Sequence, residues 1–304
     1  MLAIVIPYYK LTFFEATLQS LASQTDKRFK VYIGDDASME SPLDLLEKYK
    51  EEIDFVYKRF VTNLGSVSLS KQWERCIALT ADEEWIMILG DDDYLGGNVV
   101  ASWYGNHDVF SQKAKVIRFA TKLKFEETNT VSNLYTHPVW EMATESFYRK
   151  FDRLTRSSLS EHIFSRASYL KYGFYNYPLA WNSDDHAWLE FSDNKPIFTL
   201  NESMVFIRIS NLNISGKDDN IVTKDLSEIV FYKFMVANKL RYYTHFQRDR
   251  IMRHYENKIK NITASEWLFL FYFYLKYFNN VSFLKFIKRF IKRFINSILK
   301  RHDP

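Results

Sequence analysis

The first 120 residues alternate short apolar runs with amphipathic segments of helical period. The strand-like runs are Ala3 to Tyr8, Phe29 to Ile33, Phe55 to Phe60 and Trp85 to Leu89. The segments between them, which have apolar residues at helical spacing, are Leu11 to Ser23, Leu43 to Lys50 and Ser68 to Leu79. Strands that alternate with helices predict an α/β fold in which crossover helices join parallel strands.

Acidic residues follow two of these strand-like runs. Asp35 and Asp36 follow the second run after one glycine, and Asp91, Asp92 and Asp93 follow the fourth after one glycine. Ligands of open α/β sheets bind at the carboxyl ends of the strands, so we expect both clusters to face one crevice. Taken singly, each cluster also fits a solvated turn rich in Asp.

The acidic residues indicate a divalent metal ion. Mg²⁺ and Mn²⁺ prefer carboxylate oxygens and keep positions open for water and substrate phosphates, so one or two carboxylates suffice. A metal ion at a diphosphate leaving group stabilises the negative charge that develops there. A further carboxylate pair, Asp184-Asp185, lies in the aromatic middle of the chain, residues 120 to 215.

The composition narrows the class of protein. Of the 304 residues, 47% are apolar and 17% aromatic, which is enough for a large core. The single cysteine, Cys76, rules out an internal disulfide and indicates a reducing compartment. The N-terminal run lacks the features of a signal peptide, and no apolar stretch reaches the roughly 20 residues that span a bilayer. Without a glycine-rich phosphate loop, dinucleotide and P-loop chemistry lack support.

Several motifs together resemble a known enzyme family. AIVIPYYK at the start, the turn GDDAS, the step NLG, the strand WIMILGDDDYL and the later SDDHAW resemble the inverting GT-A glycosyltransferases of family two. The resemblance covers about residues 1 to 215. It implies a Rossmann-like nucleotide-sugar-binding domain with a mostly parallel central sheet. It also implies sugar transfer from a nucleotide-diphosphate sugar, expected to be a UDP-sugar, to an acceptor hydroxyl.

The resemblance assigns roles to individual residues. By position, the donor site falls on Pro7, Tyr8, Tyr9, Asp35, Asp36, Asn63, Asp91 and Arg208. Asp36 is the first choice to accept a hydrogen bond from the nucleobase, and the resemblance implies that Asp91 lies over the ribose or assists. Arg208 is a candidate diphosphate contact because a guanidinium matches phosphate geometry, although ordinary ion pairing fits it equally well. The metal, Mg or Mn, is assigned to Asp92, with Asp93 in support.

The pair Asp184-Asp185 falls where the family has its Glu-Asp motif, which implies that Asp185 is the general base. An inverting displacement needs the acceptor oxygen deprotonated on the face opposite the leaving group, so the base comes from a separate segment. Asp184 also fits the cap of a helix from His186 to Phe191. Both roles are compatible within the pair.

Three positions depart from the family pattern. Lys10 stands where Asn is frequent, and Ala37 replaces the usual Gly of the acidic turn. Gly90 occupies a position that is frequently Asp. This last change leaves two registers open for the acidic triplet on the metal.

The end of the chain is helical and basic, which predicts two parts: a catalytic domain, residues 1–225, and a helical segment, residues 226–304. From Ser282 to Leu299, apolar and basic residues recur at helical spacing and no acid intervenes. The apolar positions are Phe283, Leu284, Ile287, Phe290, Ile291, Phe294, Ile295 and Ile298, and the basic ones, extended to Lys300, are Lys285, Lys288, Arg289, Lys292, Arg293 and Lys300. Such a helix suits an anionic membrane surface. The alternatives are a helix docked on the catalytic domain or on a second subunit of a homo-oligomer.

The sequence therefore predicts a metal-dependent inverting glycosyltransferase on the cytoplasmic face of the cell membrane. A glycan or lipid-linked acceptor, used in surface polysaccharide or glycolipid synthesis, is expected, and no nucleic acid. A sugar nucleotidyltransferase is disfavoured because the first loop has no glycine. A non-catalytic membrane-bound scaffold is disfavoured because Asp92 and Asp185 are both present.

Overall fold

The computed structural model describes residues 1–213, 220–259 and 264–299, without the side chains of residue 264 and residues 293–299. Its strands are β1 (Leu2–Tyr8), β2 (Phe29–Asp35), β3 (Phe55–Arg59), β4 (Trp85–Ile88), β5 (Tyr94–Leu95), β6 (Val116–Phe125), β7 (Thr130–Val131), β8 (Trp140–Met142), β9 (His162–Ser165) and β10 (Pro196–Ile209). Its helices are α1 (Phe14–Ala22), α2 (Leu43–Tyr49), α3 (Leu69–Ile77), α4 (Val99–Gly105), α5 (His107–Phe110), α6 (Ala143–Phe151), α7 (Arg166–Tyr172), α8 (Ser183–Phe191), α9 (Ile221–Phe234), α10 (His245–Lys258), α11 (Ala264–Tyr277) and α12 (Asn280–Leu299).

The strands form one mixed sheet in the order β3-β2-β1-β4-β9-β6-β10-β5, with β7 beside β6 and β8 beside β10. Strands β3, β2, β1 and β4 run parallel, as do β6 and β10. Strand β9 is antiparallel to both of its neighbours, β4 and β6. The predicted α/β architecture with a mostly parallel central sheet is confirmed, and the four predicted strands end within two residues of the observed bounds.

The first strands form where apolar runs are covered on both faces. Strand β1 is buried at every position except the half-buried Pro7, which is typical of a central parallel strand between two layers of helices. Helix α3 begins at Ser68, whose hydroxyl accepts the main-chain N–H of Lys71 at 3.2 Å. This packing fixes the carboxyl ends of β1, β2 and β4, where the acidic residues follow.

The chain divides into two compact units, residues 1–227 and residues 228–304, and the division falls within α9. In the second unit, α12 packs on α11 through aromatic rings. The ring centroids of Trp267 and Phe290 lie 4.0 Å apart, and those of Tyr274 and Phe286 lie 4.2 Å apart. Within the described ranges, no helix combines the length and the apolarity needed to cross a membrane.

The structure of the second unit corrects the prediction that all basic residues of the tail helix face away from the protein. Helix α12 is confirmed, but Arg289 donates two hydrogen bonds to the buried carboxylate of Glu256, at 2.9 and 3.0 Å. Its guanidinium also donates to the hydroxyl of Tyr274. Arg289 therefore ties α12 to α10. The predictions for the side chains of Arg293, Phe294, Ile295 and Ile298, and for Lys300, lie outside the described residues.

Candidate active site

Asp91 joins the loop after β4 to the end of β1. Its Oδ2 atom accepts the main-chain N–H groups of Tyr9, at 2.7 Å, and of Lys10, at 2.8 Å. The hydroxyl of Thr17, on α1, donates to the main-chain oxygens of Asp91 and Asp93. The acidic loop is therefore held in one position by β1 and α1 together.

Asp92 and Asp93 differ in how far protein donors occupy their oxygens. Asp93 is buried, and its Oδ1 atom accepts the main-chain N–H of Arg208 at 2.8 Å. Asp92 is half-buried, and its Oδ2 atom accepts the side-chain amide of Asn213 at a longer 3.3 Å. Asp92 thus has the carboxylate with the weakest of these protein contacts.

Burial raises the pKa of all three carboxyl groups in this loop. For Asp91 and Asp93, the next cause is the neighbouring charge of Asp92. For Asp92, burial is opposed by the amide of Asn213 and by the charges of Arg208 and Lys10. An opposite charge placed beside these three carboxyl groups would stabilise their ionised form.

Arg208 is occupied by the acidic loop. Its Nε atom donates to the main-chain oxygen of Asp92 at 2.7 Å, and its guanidinium forms an ion pair with Glu126. The guanidinium also lies over the ring of Phe13, 4.3 Å from the centroid. In the structure Arg208 therefore supports the acidic loop through a hydrogen bond and an ion pair. Of the two roles considered from the sequence, ion pairing and diphosphate contact, this is the ion pairing.

Gly90 lies close to two of the carboxylates that follow it. A Cβ atom added at Gly90 would lie 2.9 Å from Oδ1 of Asp92 and 3.1 Å from Oδ2 of Asp93. The Gly90 N–H donates to the hydroxyl of Ser160 at 3.0 Å, which fixes the backbone there. A side chain at this position would push against the carboxylates, so the chain has glycine where an acid is frequent.

Asp36, at the end of β2, forms hydrogen bonds with the turn before α3 and with α3 itself. It is only 4% exposed, and it accepts the main-chain N–H groups of Leu64, at 2.7 Å, and Gly65, at 2.8 Å. It also accepts a guanidinium hydrogen bond from Arg75 at 2.6 Å. Asn63 supports the same turn, because its side-chain oxygen accepts the N–H of Ser66 at 2.9 Å. Asn63 therefore shapes the turn that Asp36 binds.

Asp35 is fully buried and is held from the neighbouring strand. Its Oδ2 atom accepts the hydroxyl of Tyr57 at 2.7 Å and the guanidinium of Arg59 at 2.9 Å. Its Oδ1 atom accepts the main-chain N–H of Ser38. Beside this cluster lies an open groove, lined by Ser38, Met39, Ser41, Leu43, Tyr57 and Arg59.

The end of β1 lies between the two acidic clusters. The Asp36 N–H donates to the main-chain oxygen of Tyr8, and the Ser38 hydroxyl donates to that of Tyr9. The ring of Tyr8 is buried against Phe14, and its hydroxyl donates to the main chain of Glu40, so Tyr8 can reach a ligand only through its backbone. Pro7 is half-buried and Tyr9 is exposed.

The second carboxylate pair opens α8, and a lysine holds it. The carboxylate of Asp185 is buried. Its two oxygens accept hydrogen bonds from the ammonium group of Lys150 on α6, at 2.7 and 2.8 Å. The side-chain amide of Asn182 donates to the same carboxylate at 2.9 Å. The helix cap is Asn182, in the left-handed region with φ 69°, so the capping role considered for Asp184 is wrong. Asp184 lies in the first turn.

The surroundings of this pair shift the pKa of Asp184 and that of Lys150. Burial raises the pKa of Asp184, and the charge of Asp185 raises it further. Burial lowers the pKa of Lys150, but the charges of Asp185 and Asp184 outweigh that effect and raise it. Lys150 therefore stays protonated beside Asp185 at neutral pH.

Glu161 relates the second pair to the acidic loop. This buried carboxylate precedes β9, and its charge contributes to the raised pKa of both Asp93 and Asp184. Arg156 and the N–H and hydroxyl of Ser158 contact Glu161 directly. Burial raises its pKa, but these neighbours outweigh that effect and hold the pKa at about 2. One ionised residue thus contributes to the electrostatics of carboxylates from two separate segments.

Comparison with known proteins decides the family. The family described as "Glycosyl transferase family 2" matches residues 3–163, which is more than half of the chain. The chain belongs to this family. The matched range runs from β1 to the start of β9 and contains the acidic residues at the end of β2 and those after β4.

Individual relatives of this family-2 glycosyltransferase are more distant. The poly(ribitol-phosphate) beta-glucosyltransferase of Bacillus spizizenii strain W23 is 30% identical over 140 residues, 42% of this chain and 22% of that protein. The chain therefore matches about a fifth of the length of this curated relative.

Solved structures show the same fold. S. aureus TarS 1-349 in complex with UDP-GlcNAc is 15% identical, with a TM-score of 0.63 over 90% of this chain and 79% of that one. The same fragment in complex with UDP is 16% identical, with a TM-score of 0.60 over 87% of this chain and 73% of that one. These similarities confirm the GT-A fold.

Sequence reasoning missed four residues that hold the acidic groups. They are Tyr57, Arg59, Arg75 and Lys150, and each contacts Asp35, Asp36 or Asp185. Arg59 and Tyr57 carried one usable signal, since they lie in the run Phe55 to Phe60, which was predicted to be the next strand along the chain after the acidic turn. Lys150 carried none, because it lies 35 residues from its partner on another helix.

Proposed function

We propose that this family-2 glycosyltransferase moves a sugar from a UDP-sugar to a hydroxyl group of a cell-surface polymer, with inversion at the anomeric carbon. The observation that carries the proposal is the pair of carboxylate sites on separate segments, one after β4 and one at the start of α8. Similar proteins support the donor and the acceptor, because one solved neighbour is a complex with UDP-GlcNAc and one relative is a poly(ribitol-phosphate) beta-glucosyltransferase.

The acidic loop fits a Mg²⁺ or Mn²⁺ ion that is completed by substrate phosphates. Among the described residues, no three His, Cys, Asp or Glu side chains converge into a metal cage. Mg²⁺ commonly uses only one or two carboxylates together with water and phosphate oxygens. Asp92, with the weakest protein contacts of the loop, would bind the ion, and Asp93 would support it. When bound, the ion would neutralise charge on the leaving diphosphate.

Asp36 and the β1 end would bind the nucleoside. A carboxylate offers about four lone-pair positions, and protein donors to Asp36 occupy three of them. One position on Oδ2 is therefore left to accept an N–H of the nucleobase. The groove beside Tyr57 and Arg59 gives the base an adjacent partly apolar surface. The backbone of Pro7 to Tyr9 would form the floor.

Asp185 would act as the general base. Its carboxylate accepts the proton of the acceptor hydroxyl as that oxygen attacks the anomeric carbon, and the bond to the diphosphate breaks on the opposite face. Lys150 and Asn182 fix the orientation of the carboxylate, which matters because proton transfer needs hydrogen-bond contact with the reacting oxygen. The family match favours this transferase reaction over the nucleotidyltransferase considered from the sequence.

A nucleotide panel tests the donor. We expect UDP to stabilise the protein more than ADP or GDP, because the pocket after β2 reads the base rather than the phosphates alone. Binding at about 100 times the Kd adds about 2.7 kcal/mol to the free energy of unfolding, which a thermal shift detects. Equal shifts for all three nucleotides would contradict a uridine donor, and no shift with any of them would contradict the transferase itself.

A glycine variant tests the geometry of the acidic loop. Gly90→Ala is expected to weaken UDP binding in the presence of Mn²⁺ by about tenfold or more, since the added Cβ displaces the Asp92 carboxylate. Gly105→Ala is the matched control, because its Cβ meets nothing within 4 Å. Titration calorimetry measures both. Unchanged binding by the Gly90 variant would remove Asp92 from the phosphate site.

A further inference from the structure

The outer face of α11 is an exposed apolar stripe. Leu268, Phe271, Tyr272 and Leu275 are 71%, 41%, 54% and 56% exposed, and their spacing places them on one side of the helix. The one acid of the helix, Glu266, does not contribute to it, because Glu266 pairs with Lys233 and accepts the hydroxyl of Tyr255. Apolar side chains of this size are seldom left in contiguous exposed rows without a partner surface.

The outer face of α12 combines apolar and basic residues. Its exposed positions from residue 281 to residue 292 are Val281, Leu284, Lys285, Lys288, Ile291 and Lys292. They recur every three or four residues and therefore share one side of the helix. The sequence of α12, Asn280–Leu299, contains no Asp or Glu. The positive charge of this face is therefore not balanced within its own helix.

The two exposed faces meet at the seam between α11 and α12. Phe271 contacts Phe283 of α12, with ring centroids 5.0 Å apart, while 41% of its surface stays exposed. The apolar stripe of α11 thus begins at the edge of α12. The inner face of α12 is used for packing, since Phe286 is buried and Phe290 contacts Trp267.

We propose that this outer surface of α11 and α12 lies on an anionic lipid bilayer. The apolar residues Leu268, Phe271 and Leu275 would enter the headgroup boundary, and the lysines of α12 would contact acidic headgroups. This assigns lipid contact to α11, which the sequence pattern did not indicate. The proposal does not include Arg289 and Phe290 among the residues that face the lipid.

Charge argues for a bilayer over a second copy of the chain. In a two-fold dimer the same surface meets itself, so the lysines at 285, 288 and 292 of both copies would be brought together. Like charges in such an interface are repulsive. An anionic bilayer supplies the opposite charge and a large apolar phase at the same time. The proposal is independent of the glycosyl-transfer reaction.

Vesicle flotation of the full chain tests the surface. We expect the protein to float with phosphatidylglycerol vesicles and to stay in solution with phosphatidylcholine vesicles. Replacing Lys285, Lys288 and Lys292 with Gln should lower vesicle affinity at least about tenfold at low salt and much less at high salt, where charge is screened. Leu268→Ser with Leu275→Ser should lower it at every salt concentration, because apolar insertion is not screened.

Matched controls separate lipid contact from general loss of exposed leucine. Leu43→Ser with Leu170→Ser changes two leucines of comparable exposure in the first unit, and should leave vesicle affinity unchanged. Light scattering reports the mass of each variant, and thermal unfolding shows that each is folded. Equal affinity of wild type for both vesicle types, or a dimer that the Leu268 and Leu275 changes dissociate, would overturn the proposal.

Discussion

Asp185→Asn is expected to lower the rate of sugar transfer by about a hundredfold or more, while UDP binding stays near the wild-type level. The amide keeps the size of the carboxylate but cannot accept the acceptor's proton. Lys150 and Asn182 contact the side chain, so the local structure keeps two polar partners for the new amide oxygen. Transfer is measured as UDP release that depends on added acceptor, and UDP affinity is measured by calorimetry.

Asp184→Asn is the control, one residue away in the same helical turn. Burial raises the pKa of Asp184, so a reaction that used Asp184 as its base would lose rate as the pH falls through a value above the usual Asp range. If Asp185 is the base, Asp184→Asn keeps most of its activity. Normal turnover by Asp185→Asn, together with loss in Asp184→Asn, would assign the reaction to Asp184.

Asp92→Ala is expected to abolish the extra stabilisation that Mn²⁺ gives to the UDP complex. The wild-type protein should unfold at a higher temperature with UDP and Mn²⁺ than with UDP and chelator, because Asp92 would hold the ion and the ion would neutralise charge on the phosphates. Without Asp92, the two conditions should give the same melting temperature. Differential scanning calorimetry measures the difference in both proteins.

Asp82→Ala controls for the loss of an acidic residue, since Asp82 is exposed and lies before β4. That variant should keep the full metal effect. Persistence of the metal effect in Asp92→Ala would move the ion to Asp91 or Asp93. The absence of any metal effect in wild type would remove the ion from the mechanism.

The spacing of apolar residues along the sequence predicted the fold, because strands that are buried on both faces appear as short continuous apolar runs. Strands β1 to β4 and the acid after β2 and β4 follow from that pattern. It predicted less well which side chains hold those acids. Arg208 and Arg289 were judged from their own neighbourhoods in the sequence, whereas their partners, Glu126 and Glu256, come from distant segments.

The sequence pattern also did not predict which face of a helix packs against its neighbours. In α12 the apolar and basic residues share a helical period, which identifies an amphipathic helix but does not say which side meets α11. The structure settles this through Trp267 and Tyr274, whose rings contact Phe290 and Phe286. The cap of α8 was misjudged for a related reason, because Asn182 begins the helix in the left-handed region, which a sequence pattern does not show.

The division between the two units lies inside a continuous helix, and this affects how the chain can be cut. Proteases cleave segments that open into an extended form, and the interior of α9 offers no such segment at Ser227 and Glu228. Limited digestion should therefore not produce a fragment that ends at this division. A shortened chain for crystallisation that ended there would retain half of α9, Ile221–Ser227, with its last carbonyl groups unpaired.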